Sequence, residues 1–305
     1  VTMTSRPSSD VRGLLSPNAR RVTAAIAVLA LLPYAVLKVM WLAGSRIGMV
    51  PGAGPSHMHD ARMEIGNVVT LVLAAIGVVV VLALSQRWGL RTPWWVIVLP
   101  AAVATGALAP IALGLPIGVV LQAAIAGDVS SGGEGDLLPA VFAVVYGGFA
   151  LYGIALAALF ADYAHRRWGA LLSAPPRALR PPAARVAAVA ALGAFAAAAV
   201  FWALAPSGAG LAGWESLAQR TVLVVVALLT LLGGAALATA SPARPRTRWA
   251  LGWIGCSTAA VQGPTLLLLA NDATIDPLLL AVTILATPAA AWLGLSALRR
   301  GAAHR

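Results

Sequence analysis

Eight apolar runs, each closed off by charged or turn residues, recur along the chain at 22–43, 65–85, 94–115, 137–160, 186–206, 221–240, 249–270 and 278–298. A bilayer core takes about 20 helical residues at about 1.5 Å each, and the backbone amides buried there have to be satisfied within their own segment. The expected fold is therefore all-α, a polytopic membrane helical bundle of about eight transmembrane helices that occupies 21–300 as one domain. Residues 1–20 are polar and rich in Ser, Pro and Arg, which predicts a disordered basic cytoplasmic tail, with a second short tail at 301–305. The first run is too long for a secretory signal and ends without a small-x-small cleavage site, so it reads as a retained helix.

Composition and charge agree with this. The chain is 60% hydrophobic and only 10% charged, whereas soluble domains carry about 25% charged residues. A net charge of +11 would suggest a nucleic-acid partner in a soluble domain. Here the arginines lie in short segments between apolar runs, where they fix orientation, so no nucleic acid is expected. With both termini cytoplasmic, 17 arginines fall inside and only Arg46, Arg62 and Arg220 fall outside. The partner implied is a lipid bilayer with anionic lipids at the inner face, reached above all by the Arg- and Pro-rich segment from His165 to Arg185. A homo-oligomer or a membrane partner protein is also admissible. Nine of the ten tryptophans fall near expected span ends, Trp41 and Trp202 among them, where indoles prefer to sit. One cysteine, Cys256, rules out an intramolecular disulfide or a cysteine-based zinc cluster.

Two features complicate a plain eight-span reading. Residues 116–126 extend the third run but are too few to cross again, which suggests an interfacial or re-entrant half helix on the outer side. Arg91-Thr92-Pro93-Trp94 opens the third run and Arg246-Thr247-Arg248-Trp249 opens the seventh. That correspondence suggests two parallel four-helix repeats. Both of those runs are interrupted, the third by Pro100, Gly106 and Pro110 and the seventh by Gln262-Gly263-Pro264. A proline inside a helix releases a carbonyl, and paired interruptions of this kind mark midplane sites in transporters, which makes Gln262 a candidate.

The first hairpin holds the remaining candidates. Lys38 is the only lysine in the chain, lying near the outer end of the first run. An ionisable residue in a span is costly and points to function, although a long side chain can snorkel to the interface. Tyr34, Lys38 and Trp41 share one helix face at i, i+4 and i+7. Glu64 is the expected ion-pair partner, with Asn67 three residues further along the same face. His57, Met58, His59, Asp60 and Met63 crowd the outer loop, and their imidazole, thioether and carboxylate groups suit copper or zinc, although their spacing matches no closed site. No carboxylate falls in the middle of a span, which argues against a proton relay. The chain contains no nucleophile elbow, HExxH helix or phosphate-binding loop, so an enzyme is not expected.

The stretch Pro33-Tyr34-x-x-Leu37-Lys38-x-x-Trp41-x-x-Gly44 resembles a pattern near the start of uncharacterised multi-pass inner-membrane proteins of high-GC, actinobacterial-type bacteria. The resemblance implies a bacterial cytoplasmic-membrane location and carries over no functional residue. The leading functional expectation is a small-molecule or ion permease, or a ligand-binding membrane component, that uses Tyr34, Lys38, Trp41, Glu64, Asn67 and Gln262. The other class is a non-transporting interaction or sensor protein whose polar residues lock helices together.

Overall fold

The computed structural model describes residues 13–50, 61–127, 137–176, 181–206, 209–239, 244–268 and 275–302. These fold into nine helices: α1 (Pro17–Leu42), α2 (Ala61–Ser85), α3 (Arg87–Arg91), α4 (Trp94–Ala126), α5 (Pro139–Leu172), α6 (Pro182–Leu204), α7 (Leu217–Ala238), α8 (Pro245–Leu268) and α9 (Pro277–Ala302). All eight expected spans are present as helices. Among the described residues, seven helices are long and apolar enough to cross a membrane: α1, α2, α4, α5, α6, α7 and α9. The remaining expected span, the seventh in order at 249–270, corresponds to α8, which is less apolar for a packing reason. It lies against α4, α7 and α9. Its polar residues Arg248, Ser257, Thr258 and Gln262 are buried in protein, so α8 does not depend on an apolar surface to match lipid.

Most helix ends follow local chemistry. Ser16 caps α1 by accepting the Ala19 N–H at 3.2 Å, and Pro17 supplies a residue suited to the first turn. The helix therefore begins before the apolar run does, and residues 13–20 are ordered instead of forming part of a loose tail. In α7, Ser216 and Gln219 form a reciprocal capping box. Trp168 leaves helical geometry inside α5 and bends its final turn.

The expected half helix at 116–126 is a continuation of α4, which runs unbroken for 33 residues. Two contacts hold this extension against α7. Gln122, buried at 5% exposure, accepts the Ala218 N–H at 3.1 Å. At Gly118, an added Cβ would stand 2.7 Å from the Ala218 backbone. The rise of α4 is about 50 Å against a hydrocarbon thickness of about 30 Å, so it is either tilted or extends past the apolar layer.

The two halves of the chain share a pattern of packing. In the first, α1 packs on α2 and α5, α4 packs on α2 and α5, and α2 touches α5 across the group. In the second, α6, α7, α8 and α9 take the corresponding places and make the same five pairings. The halves meet through α4, which lies on α7 and α8. A two-fold relation would require α8 to lie on α2 as fully as α4 lies on α7, and that pair makes at most a marginal contact. The pairing recurs within the halves, and the interface between them is lopsided.

Small residues allow these helices to approach closely. A Cβ on Gly255 of α8 would fall 2.5 Å from Gly233 Cα of α7, and one on Gly106 of α4 would fall 2.7 Å from the Ser257 carbonyl carbon of α8. Such backbone proximity drives helix association in lipid, where apolar side chains gain nothing by leaving the solvent. Trp202, expected as an interfacial anchor, is 1% exposed and packs in a core with Phe195, Ala199, Leu223 and Val226. Trp88, Trp94 and Trp95 do remain exposed.

Candidate functional site

The outer end of α1 carries the lysine cluster expected from the sequence. Lys38 is half-buried, and its Nζ donates to Asn67 Oδ1 on α2 at 2.7 Å. The ammonium also lies 5.4 Å from the Tyr34 ring centroid and 5.0 Å from that of Trp41. Residues at i, i+4 and i+7 thus do share one face, and two ring quadrupoles face one charge. Trp41 is fixed in turn by donating Nε1–H to the Ile47 carbonyl at 2.9 Å. Tyr34 packs on Phe149 of α5 with centroids 4.7 Å apart, and Phe142 and Tyr146 extend the aromatic row along α5. Leu138 N–H donates to the Gly48 carbonyl at 2.8 Å, which ties the start of α5 to the chain leaving α1.

Asn67 lies one turn beyond Glu64, the acid expected from the sequence to pair with Lys38. Asn67 is 3% exposed, whereas Glu64 is exposed three residues earlier on the same side of α2. His57, Met58, His59 and Asp60 lie outside the described residues, as does the side chain of Met63. Among the described residues, no three His, Cys, Asp or Glu side chains come together to hold a metal.

Gln262 is far from this cluster and has a different task. It is 4% exposed, and its Nε2 donates to the Gly106 carbonyl of α4 at 2.8 Å. That carbonyl is four residues before Pro110, so it is the one that loses its helical donor to the proline ring. Pro264 shows the same remedy: the carbonyl four residues before it, Ala260, accepts Thr287 Oγ1 from α9 at 3.3 Å. The two interruptions are thus repaired by neighbouring helices.

A second charged group, missed in the sequence, joins the arginine-rich ends of α1, α2 and α5. Asp162 is fully buried. Its Oδ2 accepts Arg20 Nε at 2.9 Å and Arg166 Nε at 2.8 Å, and its Oδ1 accepts Leu15 N–H at 2.9 Å. Arg166 Nη2 continues to the Leu84 carbonyl at the end of α2, at 2.8 Å. Next to it, Arg167 Nη1 donates to the Tyr163 hydroxyl at 2.6 Å and to the Gly89 carbonyl at 3.2 Å. These two arginines, expected to meet lipid head groups, are turned onto protein. The available signal was Asp162 itself, an acid four residues before an arginine at the arginine-rich end of a helix.

The fold and these clusters define a polytopic helical membrane protein. No protein-family model matches the chain, and no curated protein or solved structure matches it either.

Removing one partner of a buried ion pair leaves an uncompensated charge at a cost of about 3–5 kcal/mol. Asp162→Ala is expected to lower stability by that order in equilibrium unfolding from detergent micelles. A loss no larger than that of a surface alanine substitution would show that the lock is not structural. Gln262→Leu should cost about 1–3 kcal/mol by leaving the Gly106 carbonyl unsatisfied. Pro110→Ala restores the missing N–H, so the double variant should recover most of that loss, and simple additivity would contradict the repair.

Proposed function

We propose that the chain is a non-transporting membrane component of the interaction or sensor class, in which most of the buried polar residues serve to hold helices together. The observation that carries this reading is the Gln262 bond to the Gly106 carbonyl. A permeation path would need polar groups free to face water near the midplane, and this one is committed to a backbone group stranded by Pro110. The arginine asymmetry supports a cytoplasmic membrane location with both termini inside. The exposed apolar faces of α1, α2 and α5 suit lipid, a second copy or a membrane partner.

Solvent access distinguishes this reading from a permease. Cys256 lies on α8, buried at 6% exposure and next to the helix crossings. In intact vesicles it should resist a water-soluble maleimide, and so should Gln262→Cys placed in the Pro110→Ala background, where the Gly106 carbonyl keeps a donor. Prompt labelling of either thiol before denaturation would establish a wet path and favour permeation.

A second reading, ligand binding at the outer end, is supported by the half-buried Lys38 ammonium set between Tyr34 and Trp41. A ligand at 100 times its Kd stabilises the native state by about 2.7 kcal/mol. A thermal-shift screen of amino acids, sugars, nucleosides and polyamines should then give a hit that disappears in Lys38→Met. A hit that survives the substitution places the ligand elsewhere.

A further inference from the structure

Arg20 and Arg21 are neighbours in the first turns of α1, about 100° apart around the helix. Arg20 turns inward to Asp162. Arg21 is exposed and stands at the rim of a groove of about 300 Å³ between α1 and the end of α2. Ala25 and Val28 of α1 and Leu82 of α2 form its apolar floor, with Ser85 and Gln86 opposite the arginine. Ser85 donates its hydroxyl proton to the Leu82 carbonyl at 3.0 Å, while among the described residues the Arg21 guanidinium and the Gln86 side-chain amide are N–H donors without a partner.

We propose that this groove is a binding site for one anionic phospholipid of the leaflet at the arginine-rich end of the bundle. The fit rests on charge and order: a fork of donors suited to a phosphate diester stands at the rim, and an apolar channel between two helices apolar enough to cross a membrane runs from it toward the hydrocarbon. α1 and α2 both count among the helices apolar enough to cross a membrane, so the floor faces acyl chains and the rim faces head groups. A zwitterionic lipid offers the same phosphate, but its own cation competes with Arg21, so an acidic lipid such as phosphatidylglycerol is the preferred occupant. The site is separate from the Asp162 lock, whose arginines are held by protein.

The test is native mass spectrometry of the full chain released from nanodiscs of mixed phosphatidylglycerol and phosphatidylcholine. The unsubstituted protein should retain about one phosphatidylglycerol in preference to phosphatidylcholine. Arg21→Gln should reduce that preference about fivefold, the usual worth of one basic residue at an anionic surface. Ala25→Phe keeps the arginine but fills the floor, and it should also release the lipid. Arg87→Gln, an exposed arginine just beyond Gln86 that does not line the groove, should leave the preference unchanged. Unchanged helicity and melting of each variant in pure phosphatidylcholine show that folding is intact. The proposal falls if the unsubstituted protein shows no preference, or if Arg21→Gln and Arg87→Gln act alike. It also falls if Ala25→Phe has no effect, since that result would mean diffuse charge attraction without a site.

Discussion

Inside a hydrocarbon layer, a backbone group that loses its helical partner has no water to turn to, and leaving it bare costs several kcal/mol. Several of the buried polar side chains in this protein answer that requirement, although the hydroxyls of Thr230, Thr258 and Thr283 do not. Gln262 serves the Gly106 carbonyl released by Pro110, and Arg248 reaches the Ala236 and Thr239 carbonyls at the end of α7. Arg166 reaches Leu84 at the end of α2, and Gln122 takes the Ala218 N–H at the start of α7. These are the positions that helix geometry leaves unpaired: four donors at each start, four acceptors at each end, and the carbonyl four residues before each internal proline. Backbone accounting therefore explains the longest of the buried polar side chains, Gln122, Arg248 and Gln262. A buried glutamine or arginine here is weak support for a substrate site until its backbone partner has been sought.

Close packing and this accounting depend on each other. Gln262 reaches Gly106 only because α4 and α8 run nearly in contact, and Gly106 permits that by having no Cβ to meet Ser257. Gly233 and Gly255 do the same for α7 and α8. With both neighbours so near, α8 can afford a proline, a buried arginine and a run of hydroxyl residues that would be unfavourable against lipid. Its weaker apolar character is thus a consequence of its central place in the bundle.

The helices and their approximate limits were legible in the sequence because span length is set by bilayer thickness. The face shared by Tyr34, Lys38 and Trp41 was legible because helical spacing places them there. What escaped was long-range partnership. Nothing local in residues 116–126 reveals that Ala218 waits beside Gln122, so a short apolar stretch after a span looked like a separate half helix. Trp202 looked like an interfacial anchor because its position along α6 is near an end, but its depth depends on how α6 meets α7. Charge made Glu64 the natural partner of Lys38 in the sequence, and nothing there pointed to the bond that Lys38 makes one turn deeper, to Asn67. Sequence carries the height of a residue in the membrane better than it carries the neighbour at that height.

The Asp162 lock shows how an excess of positive charge can be held at a buried junction. One carboxylate faces two guanidinium groups, so side chains alone leave the cluster with one positive charge. The remainder is met by backbone acceptors. Arg166 Nη2 ends on Leu84, within the last turn of α2, where aligned peptide dipoles place about half a negative charge. Arg20 Nη2 ends on the Leu15 carbonyl at 3.2 Å, next to the Leu15 N–H that the carboxylate itself accepts. The cluster also lies where some water remains within reach, since the Arg20 side chain is 17% exposed while Asp162 is fully covered. A single acid can therefore anchor α1 to α5 and α2 because two arginines divide their donors between it and carbonyls that needed them. Arg21, one residue on and about 100° further around the helix, makes none of these bonds and stays exposed.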